Sequence, residues 1–364
     1  LQHPMSPHQR TVFASAATIG DMAELNERMP YRMAFPGALG TGIIVQTSRP
    51  DPGSERMRAF IDGYEAALSR FRADSTVCAM SQAAHGGHFD FPDWAAGLFD
   101  LYDLLFDATQ GAIDPCVGED LIRLGYDARY SFTVDADAWD HLGSAHGRAV
   151  WRDAVERHGS TLITSRPVSL DFGACGKGYL VDLLGRLLLA GSSSRNGTTA
   201  GAGMRFLINA GGDLLSHDDQ PVAIALEDPG NPANAVGTAS VDRGSFCASA
   251  PSRRRWGEAA GHRLHHLLNA IDGLPADDVM ATWVYVADST GTVSGSDAPL
   301  PRSQASGIPA PNRYPTATAD GVATALFTTP AERLRERCTF ACAILNADRT
   351  AAKSAGFPGA FFAK

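Results

Sequence analysis

A glycine-rich segment with one lysine and two flanking carboxylates has the clearest chemical potential in the chain. Residues 171–182 read Asp-Phe-Gly-Ala-Cys-Gly-Lys-Gly-Tyr-Leu-Val-Asp and follow a strand-like run at 168–170. After Gly178, leucines recur at the i, i+3, i+4 spacing of an amphipathic helix. A helix N-terminus with Lys177 beside it suits a phosphate, and Asp171 adds an acceptor at the strand end. The spacing matches neither the P-loop nor the dinucleotide fingerprint, so an ordinary strand-turn-helix is equally compatible with it.

A second glycine turn follows another predicted strand. Residues 206–209 form a short apolar run, and residues 209–213 read Asn-Ala-Gly-Gly-Asp. Glycines allow a tight turn whose amides can bind a polar part of a ligand. A plain hairpin turn explains the same residues, and it is favoured when this segment is considered alone.

A carboxylate and a hydroxyl occur at helical spacing near the C-terminus. Residues 318–327 read Thr-Ala-Asp-Gly-Val-Ala-Thr-Ala-Leu-Phe and predict a helix with Thr318 as its N-cap. Asp320 and Thr324 are four residues apart, so they share one helix face. Hard oxygen ligands suit Mg²⁺, and a carboxylate is favoured near a helix N-terminus. The same spacing is common on solvated helix faces, so the pair alone does not establish a metal site.

Two adjacent histidines lie beside an apolar run at 264–269. Successive side chains of a strand point to opposite faces, so at most one of His265 and His266 can reach a given site. A half-buried, hydrogen-bonded histidine is the commoner outcome for such a residue. The six cysteines include no Cys-x-x-Cys pair, which argues against a zinc site and favours reduced thiols.

Composition limits the classes of protein that the chain can belong to. Its 364 residues are 44% hydrophobic and 20% charged, which is ordinary for a globular protein. Thirty-one basic and forty acidic residues give a net charge of −9, which disfavours nucleic acid as a partner. No secretory signal or transmembrane span is visible in the sequence. We expect a cytoplasmic location for the chain as given, and an extracytoplasmic one if a leader has been removed.

The order of predicted elements favours one mixed α+β domain with surface insertions. Residues 1–34 are polar without a sustained period and are predicted to be an N-terminal extension, so the domain spans 35–364. Serine-, glycine- and proline-rich stretches at 191–203 and 290–315 are predicted to be flexible insertions. Helices are predicted over 54–72 and 92–109, and strands over 40–45, 206–209, 222–226 and 282–286.

Together these segments resemble the ApbE family, the FAD:protein FMN transferases. The resemblance runs from about residue 35 to 348 and is most specific at 171–182 and 319–327. It implies a single α+β domain of the ApbE-like, T-fold-related type. The matching pieces, in the order of the family, are 39–41, 69–75, 111–115, 171–182, 209–213, Ser249, His266, and Asp320 with Thr324.

The resemblance implies a Mg²⁺-dependent enzyme. It would bind FAD, cleave the pyrophosphate, and transfer FMN to a threonine or serine hydroxyl of a target flavoprotein, releasing AMP. His266 would be the general base, with Asp320 as the second catalytic residue. By motif, FAD would be contacted by Leu39, Ala112, Ile113, Asp114, Asp171 and Lys177, and the metal would be held by Asp320, Thr324 and the backbone carbonyl of Ala174.

Several positions depart from the family pattern. Leu39 stands where methionine is usual, and Asn269 with Ala270 replaces an aspartate and a proline. Ala250 follows Ser249 where glycine is common, and Met80-Ser81 stands where an asparagine commonly occurs. These changes bear on the isoalloxazine contacts and on target specificity rather than on the pyrophosphate chemistry.

Two other functions fit the same motifs. A Mg²⁺-dependent FAD pyrophosphatase would use water in place of the acceptor hydroxyl and release free FMN and AMP. A non-catalytic protein could hold FAD without turning it over, although the Asp320 and Thr324 pair argues against this alternative because a pure binder has less need of a metal.

Overall fold

A computed structural model describes residues 22–50, 53–193, 203–287 and 313–362. The predicted insertions at 191–203 and 290–315 lie largely outside these residues. The helices are α1 Met22–Arg28, α2 Ser54–Leu68, α3 Thr76–Gln82, α4 Ala95–Thr109, α5 Gly118–Arg123, α6 Trp151–Ala154, α7 Gly176–Ser193, α8 Pro315–Ala325 and α9 Ala331–Arg335. The strands are β1 Tyr31–Phe35, β2 Ile43–Thr47, β3 Gly87–Asp90, β4 Glu156–His158, β5 Thr161–Thr164, β6 Phe206–Ala210, β7 Asp213–His217, β8 Val222–Asp228, β9 Asn231–Val241, β10 Gly244–Ser249, β11 Arg255–Ala259, β12 His262–His265, β13 Leu268–Asn269, β14 Leu274–Pro275, β15 Val279–Ala287, β16 Ala341–Asn346, β17 Ala351–Lys353 and β18 Gly359–Phe361.

Apolar periodicity accounts for the longer helices. Helix α2 buries Met57, Ile61, Tyr64 and Leu68, which recur every three or four residues. Helix α4 ends where Gln110 adopts the left-handed conformation, and Gly111 follows with φ 89°. The predicted helices at 54–72 and 92–109 are therefore confirmed, with ends a few residues inside the predicted limits.

One sheet forms the centre of the fold. Its eight strands run in the order β1-β2-β6-β7-β10-β15-β16-β17, and each neighbouring pair is antiparallel. A smaller sheet has the order β18-β9-β8. The mixture of helices with antiparallel sheets confirms the predicted α+β class.

Alternation along the strands divides the core between the two faces of this sheet. Cys247 and Val284 belong to the core cluster that contains the helices, whereas their neighbours Phe246 and Trp283 pack with strands β8 and β9. Helix α7 packs against β6 and β7, and α8 packs against β10, β15 and α7. The two helices that hold the predicted catalytic motifs thus lie side by side on one face of the sheet.

Two predictions about local structure need correction. Strand β1 crosses the predicted boundary at residue 35, and Leu25 and Met29 of the preceding segment are buried, so the ordered fold begins before that residue. The run 168–170 is not a strand. The Val168 N–H donates to the Met80 carbonyl of α3, and the Asp171 N–H, directly after the run, donates to the Pro115 carbonyl. An apolar extended run predicts extended backbone, but it does not by itself supply a partner strand.

The described helices include none with the length and the apolar composition needed to cross a membrane.

Candidate functional site

A cavity of about 790 Å³ opens where several loops meet the start of α7. Such a volume is typical of a site for a cofactor-sized molecule. Its walls come from the segments 36–44, 64–72, 112–117, 171–177, 248–254 and 266–270, and they include the predicted residues Leu39, Ala112, Ile113, Asp114, Asp171, Ala174, Lys177, His266 and Thr324. The fold therefore brings nine of the ten predicted site residues to one cavity. Asp320, the tenth, lies behind Lys177 and is almost fully buried.

Lys177 joins two buried carboxylates beside this cavity. Its Nζ lies 3.1 Å from Asp213 Oδ2 and 3.0 Å from Asp320 Oδ1, and 27% of its side chain is exposed. Burial lowers the pKa of Lys177, but the two carboxylates outweigh burial and hold it above its ordinary value. Burial, and after it Asp213, raise the pKa of Asp320. The site thus keeps a fixed cation at the cavity wall.

The turn at 209–213 is a β6–β7 hairpin that places Asp213 in this cluster. Gly211 and Gly212 have φ values of 64° and 112°, which is why this turn uses glycine. Asn209 Oδ1 accepts a hydrogen bond from Gly212 N–H at 3.2 Å. The sequence suggested ligand-binding amides or a plain hairpin. The structure has a hairpin whose Asn209 and Gly211 line the cavity and whose Asp213 carboxylate pairs with Lys177.

Two of the first amides of α7 bond to protein acceptors. Gly176 N–H donates to the Phe172 carbonyl at 2.9 Å, and Gly178 N–H donates to Asp320 Oδ2 at 3.1 Å. These two amides are therefore not free to bind a phosphate, so the predicted anion site at the start of α7 does not include them. Gly178 serves close helix packing instead: a Cβ at this position would lie 2.4 Å from the Thr316 carbonyl oxygen of α8.

Helix α8 is capped by a residue of α7. Asp182 is buried, and its two oxygens accept from the amides of Thr316 at 3.0 Å and Ala317 at 2.9 Å. The predicted N-cap, Thr318, lies inside the helix and donates its hydroxyl proton to the Tyr314 carbonyl. That prediction is wrong because a carboxylate from another helix satisfies the first amides.

Hard oxygen donors meet where α8 faces the loop before α7. Thr324 Oγ1 lies 3.3 Å from the Ala174 carbonyl oxygen, and both residues line the cavity. The Asp320 carboxylate is one turn away on the same helix. In the described ranges no group of three or more His, Cys, Asp or Glu side chains could hold a metal. One carboxylate, one hydroxyl and one carbonyl nevertheless fit Mg²⁺, which binds few protein ligands and completes its shell with substrate phosphates and water.

Asp171 is held by an arginine that motif spacing did not single out as a site residue. Arg70 Nε lies 2.5 Å from Asp171 Oδ2, and Gly173 N–H donates to Asp171 Oδ1 at 2.6 Å. Arg70 precedes Phe71 and is separated from Asp171 by about one hundred positions, so periodicity offers no signal for the pair. The only signal was its position inside the 69–75 segment that matches the family.

A second unanticipated arginine stabilises the wall that contains Ala112, Ile113 and Asp114. The Arg148 side chain is fully buried, with Nε 2.7 Å from Asp120 Oδ2 and Nη1 3.6 Å from Asp114 Oδ2. Its Nη2 donates to the Ala270 carbonyl at 2.6 Å, and Ala270 N–H donates to the Ala112 carbonyl at 3.1 Å. Arg148 thus joins the two loops that form this side of the cavity.

Leu39 occupies an unusual backbone conformation at the cavity wall. Its φ and ψ are 53° and 21°, in the left-handed region that non-glycine residues rarely adopt. Its N–H donates to Glu65 Oε1 at 2.7 Å, which holds the residue in place. The leucine that replaces the usual methionine therefore keeps an apolar side chain at the cavity.

The two histidines lie in different environments, as predicted, although β12 ends at His265 and His266 follows the strand. His266 lines the cavity, whereas His265 is buried 3.4 Å from Asp277. Burial and then the Arg254 cation lower the pKa of His266 from 6.5 to about 3, so its imidazole is neutral. His266 Nδ1 lies 3.3 Å from the Arg254 carbonyl oxygen, which can only accept, so Nδ1 is the protonated nitrogen and Nε2 has a free lone pair.

The Asn269 substitution affects a turn and not the cavity surface. Asn269 Oδ1 accepts from Ile271 N–H at 3.1 Å, and Gly273 N–H donates to the Asn269 carbonyl at 2.7 Å. The cavity is lined by its neighbours Leu268 and Ala270. The asparagine can therefore supply the same acceptor to this turn as an aspartate.

Comparisons with known proteins show what the chain as a whole is similar to. The model of the ApbE family matches residues 39–295. The FAD:protein FMN transferase of Klebsiella pneumoniae (strain 342) is 24% identical over 268 residues, 71% of this chain and 73% of the relative. That of Treponema pallidum (strain Nichols) is 24% identical over 248 residues, which are 65% and 67% of the two chains.

Solved structures share the fold over most of the chain. The ApbE protein of Thermotoga maritima has a TM-score of 0.66 at 18% identity, covering 89% of this chain and 97% of that one. The apo flavinyl transferase ApbE of Pseudomonas stutzeri has a TM-score of 0.64 at 20% identity, covering 89% and 94%. The family match ends before α8, but the fold returns that helix to the cavity. Since the family model covers well over half of its residues, the chain belongs to the ApbE family.

Proposed function

We propose that the protein transfers FMN from FAD to a threonine or serine hydroxyl of a target flavoprotein and releases AMP. The observation that supports this most directly is the Lys177 cation, fixed between Asp213 and Asp320 at the wall of a cofactor-sized cavity. Membership of the ApbE family and relatives named FAD:protein FMN transferase agree with it. Pyrophosphate cleavage requires charge on phosphate oxygens to be neutralised, and this site has the groups to do so.

The oxygen donors of α8 and of the loop before α7 would hold Mg²⁺. These are the Thr324 hydroxyl, the Ala174 carbonyl and the Asp320 carboxylate. When bound, the metal supplies charge neutralisation at the diphosphate. Lys177 contributes a permanent positive charge that needs no proton movement, because its pKa lies above the ordinary value.

His266 is the proposed acceptor of the proton from the attacking hydroxyl. Its neutral imidazole has Nε2 free while Nδ1 donates to the Arg254 carbonyl. This low pKa makes His266 a weak base without a bound ligand. Anionic phosphates that neutralise Arg254 and Lys177, both of which lower this pKa, would make it a stronger one.

One incubation separates the candidate activities. The protein is mixed with FAD, Mg²⁺ and a flavoprotein domain with an Asp-x-x-Thr-Gly-Ala-Thr acceptor segment, and the denatured mixture is examined for in-gel flavin fluorescence and for AMP. Fluorescent label on the acceptor supports transfer. AMP without label indicates a pyrophosphatase, and bound FAD with neither product indicates a binding protein; both results contradict the proposal.

Matched variants test the assigned roles. His266→Ala should slow transfer while FAD binding is largely retained, with exposed His85 replaced by alanine as the control. Thr324→Val should raise the Mg²⁺ concentration needed for half-maximal activity. Thr328→Val, one turn further along the chain and away from the cavity, should leave it unchanged. A normal metal requirement after Asp320→Ala with Thr324→Ala would eliminate the metal assignment.

A further inference from the structure

Arg70 lies in a restricted setting beside the cavity. Its guanidinium carbon is 4.2 Å from the centre of the Phe71 ring and 4.8 Å from that of Tyr126. Nη1 donates to the Tyr126 carbonyl at 2.6 Å, and Nε lies 2.5 Å from Asp171 Oδ2. Two rings, one carbonyl and one carboxylate thus fix a side chain that is only 6% exposed.

Asp171, the partner of Arg70, also makes two hydrogen bonds with backbone groups. Asp171 Oδ1 accepts from Gly173 N–H at 2.6 Å, and Asp171 N–H donates to the Pro115 carbonyl at 2.7 Å. The carboxylate lines the cavity although its side chain is only 14% exposed. Arg70 holds its second oxygen, so Arg70 and the Gly173 amide together orient the carboxylate.

Arg70 also favours the charged form of this carboxylate. Burial raises the pKa of Asp171, but Arg70, together with the Gly173 amide and Arg254, outweighs burial, and the pKa lies below its ordinary 3.8. The charged and titratable groups that face Asp171 are Arg70, Arg254, Tyr102 and Tyr126. Of the two cations, only Arg70 bonds directly to the carboxylate. Without it, a buried acid would be left to take up a proton.

We propose that Arg70 is a positioning residue for FAD binding, which acts by holding Asp171 oriented and ionised toward the bound dinucleotide. The inference rests on the proposed function, because it takes Asp171 as a contact of FAD. An ionised, oriented carboxylate accepts hydrogen bonds from N–H or O–H groups of the ligand, and a protonated or rotated one does so poorly. Arg70 therefore affects FAD through Asp171.

A double-mutant cycle tests this coupling. Arg70→Met keeps a long apolar side chain between the two rings, and Asp171→Asn removes the negative charge. Each change should weaken FAD affinity by about tenfold or more, the scale of a hydrogen bond to a charged group. In the Asp171→Asn background, Arg70→Met should change affinity less than about twofold, because the residue through which it acts is already altered. If the affinity losses of the two single variants multiply in the double variant, the two residues act independently and the proposal is wrong. It is also wrong if Arg70→Met alone leaves FAD affinity unchanged.

A measurement without FAD separates this inference from the proposed function. The carboxyl ¹³C shifts of aspartate-labelled apoprotein, assigned with Asp171→Asn, give the pKa of Asp171 directly. Arg70→Met should raise that pKa, and Arg70→Lys, which keeps a charge and is the milder replacement for folding, should raise it less. The control is Arg157→Met, which breaks ion pairs with Asp100 and Asp103 away from the cavity. This change should leave the pKa of Asp171 unchanged.

The binding assay and the titration test different claims. A wild-type protein that binds no FAD refutes the proposed function, whereas the titration still reports whether Arg70 controls Asp171. An unshifted pKa in both Arg70 variants refutes the inference even if FAD transfer is confirmed.

Discussion

Replacing Asp182 tests whether one carboxylate of α7 supports the helix that contains the candidate metal ligands. Its two oxygens accept from Thr316 N–H at 3.0 Å and Ala317 N–H at 2.9 Å, in a position that is 5% exposed. Asp182→Ala leaves two buried amides without acceptors. At about 1–3 kcal/mol for each, partly relieved by water in the vacated space, the expected loss in the free energy of unfolding is about 3 kcal/mol.

The loss should depend on pH with a defined sign. Burial raises the pKa of Asp182 from 3.8 to about 7, so the folded protein binds a proton that the unfolded chain releases. A carboxyl group with a raised pKa stabilises the folded state fully at pH values below its unfolded pKa of 3.8. This contribution is lost as the pH rises through about 7. The difference between wild type and Asp182→Ala should therefore be larger in mildly acidic than in mildly alkaline buffer.

Urea denaturation followed by circular dichroism measures both effects. Asp182→Asn keeps one oxygen acceptor and should lose about half as much stability as the alanine variant. Exposed Asp140→Ala is the control and should change little. A loss below about 1 kcal/mol for Asp182→Ala, or an equal loss for both Asp182 variants, would refute the capping argument.

Three further predictions concern other parts of the site. His266→Gln should make the free energy of unfolding less dependent on pH in acid. The pKa of His266 is about 3 in the folded protein and 6.5 ordinarily, so the wild type loses stability as the pH falls below 6.5. Urea denaturation in mild acid should show a loss on the order of 1 kcal/mol for the wild type. Arg148→Met should lower the free energy of unfolding by about 3–5 kcal/mol in the same assay, because Asp114 and Asp120 lose their buried cation. Adding Asp120→Asn should restore part of this stability. An unchanged stability of the double variant would contradict the pairing of Arg148 with Asp120. Gly178→Ala should lower the free energy of unfolding by about 1–3 kcal/mol, because the added Cβ would lie 2.4 Å from the backbone of α8. Gly176→Ala is the control: the nearest atom to its Cβ is 3.5 Å away, so thermal melts should show little change.

The sequence was sufficient where one element determines its own pattern. The apolar spacing of α2 and α4 predicted both helices, and the order of elements predicted the α+β class. The motif segments identified nine residues that the structure places around one cavity. The prediction that at most one of His265 and His266 reaches the site also agrees with the structure, although β12 ends at His265.

Tertiary structure decided the pairings between distant segments. Asp182 caps a helix 134 residues away, Arg70 holds a carboxylate 101 residues away, and Arg148 reaches Ala270 across 122 residues. Periodicity reports which face of an element is buried, but not which side chain of another element will meet it; that depends on strand order and helix packing. For the same reason Gly178 suggested space for a ligand, while the folded chain uses it to bring α7 against α8.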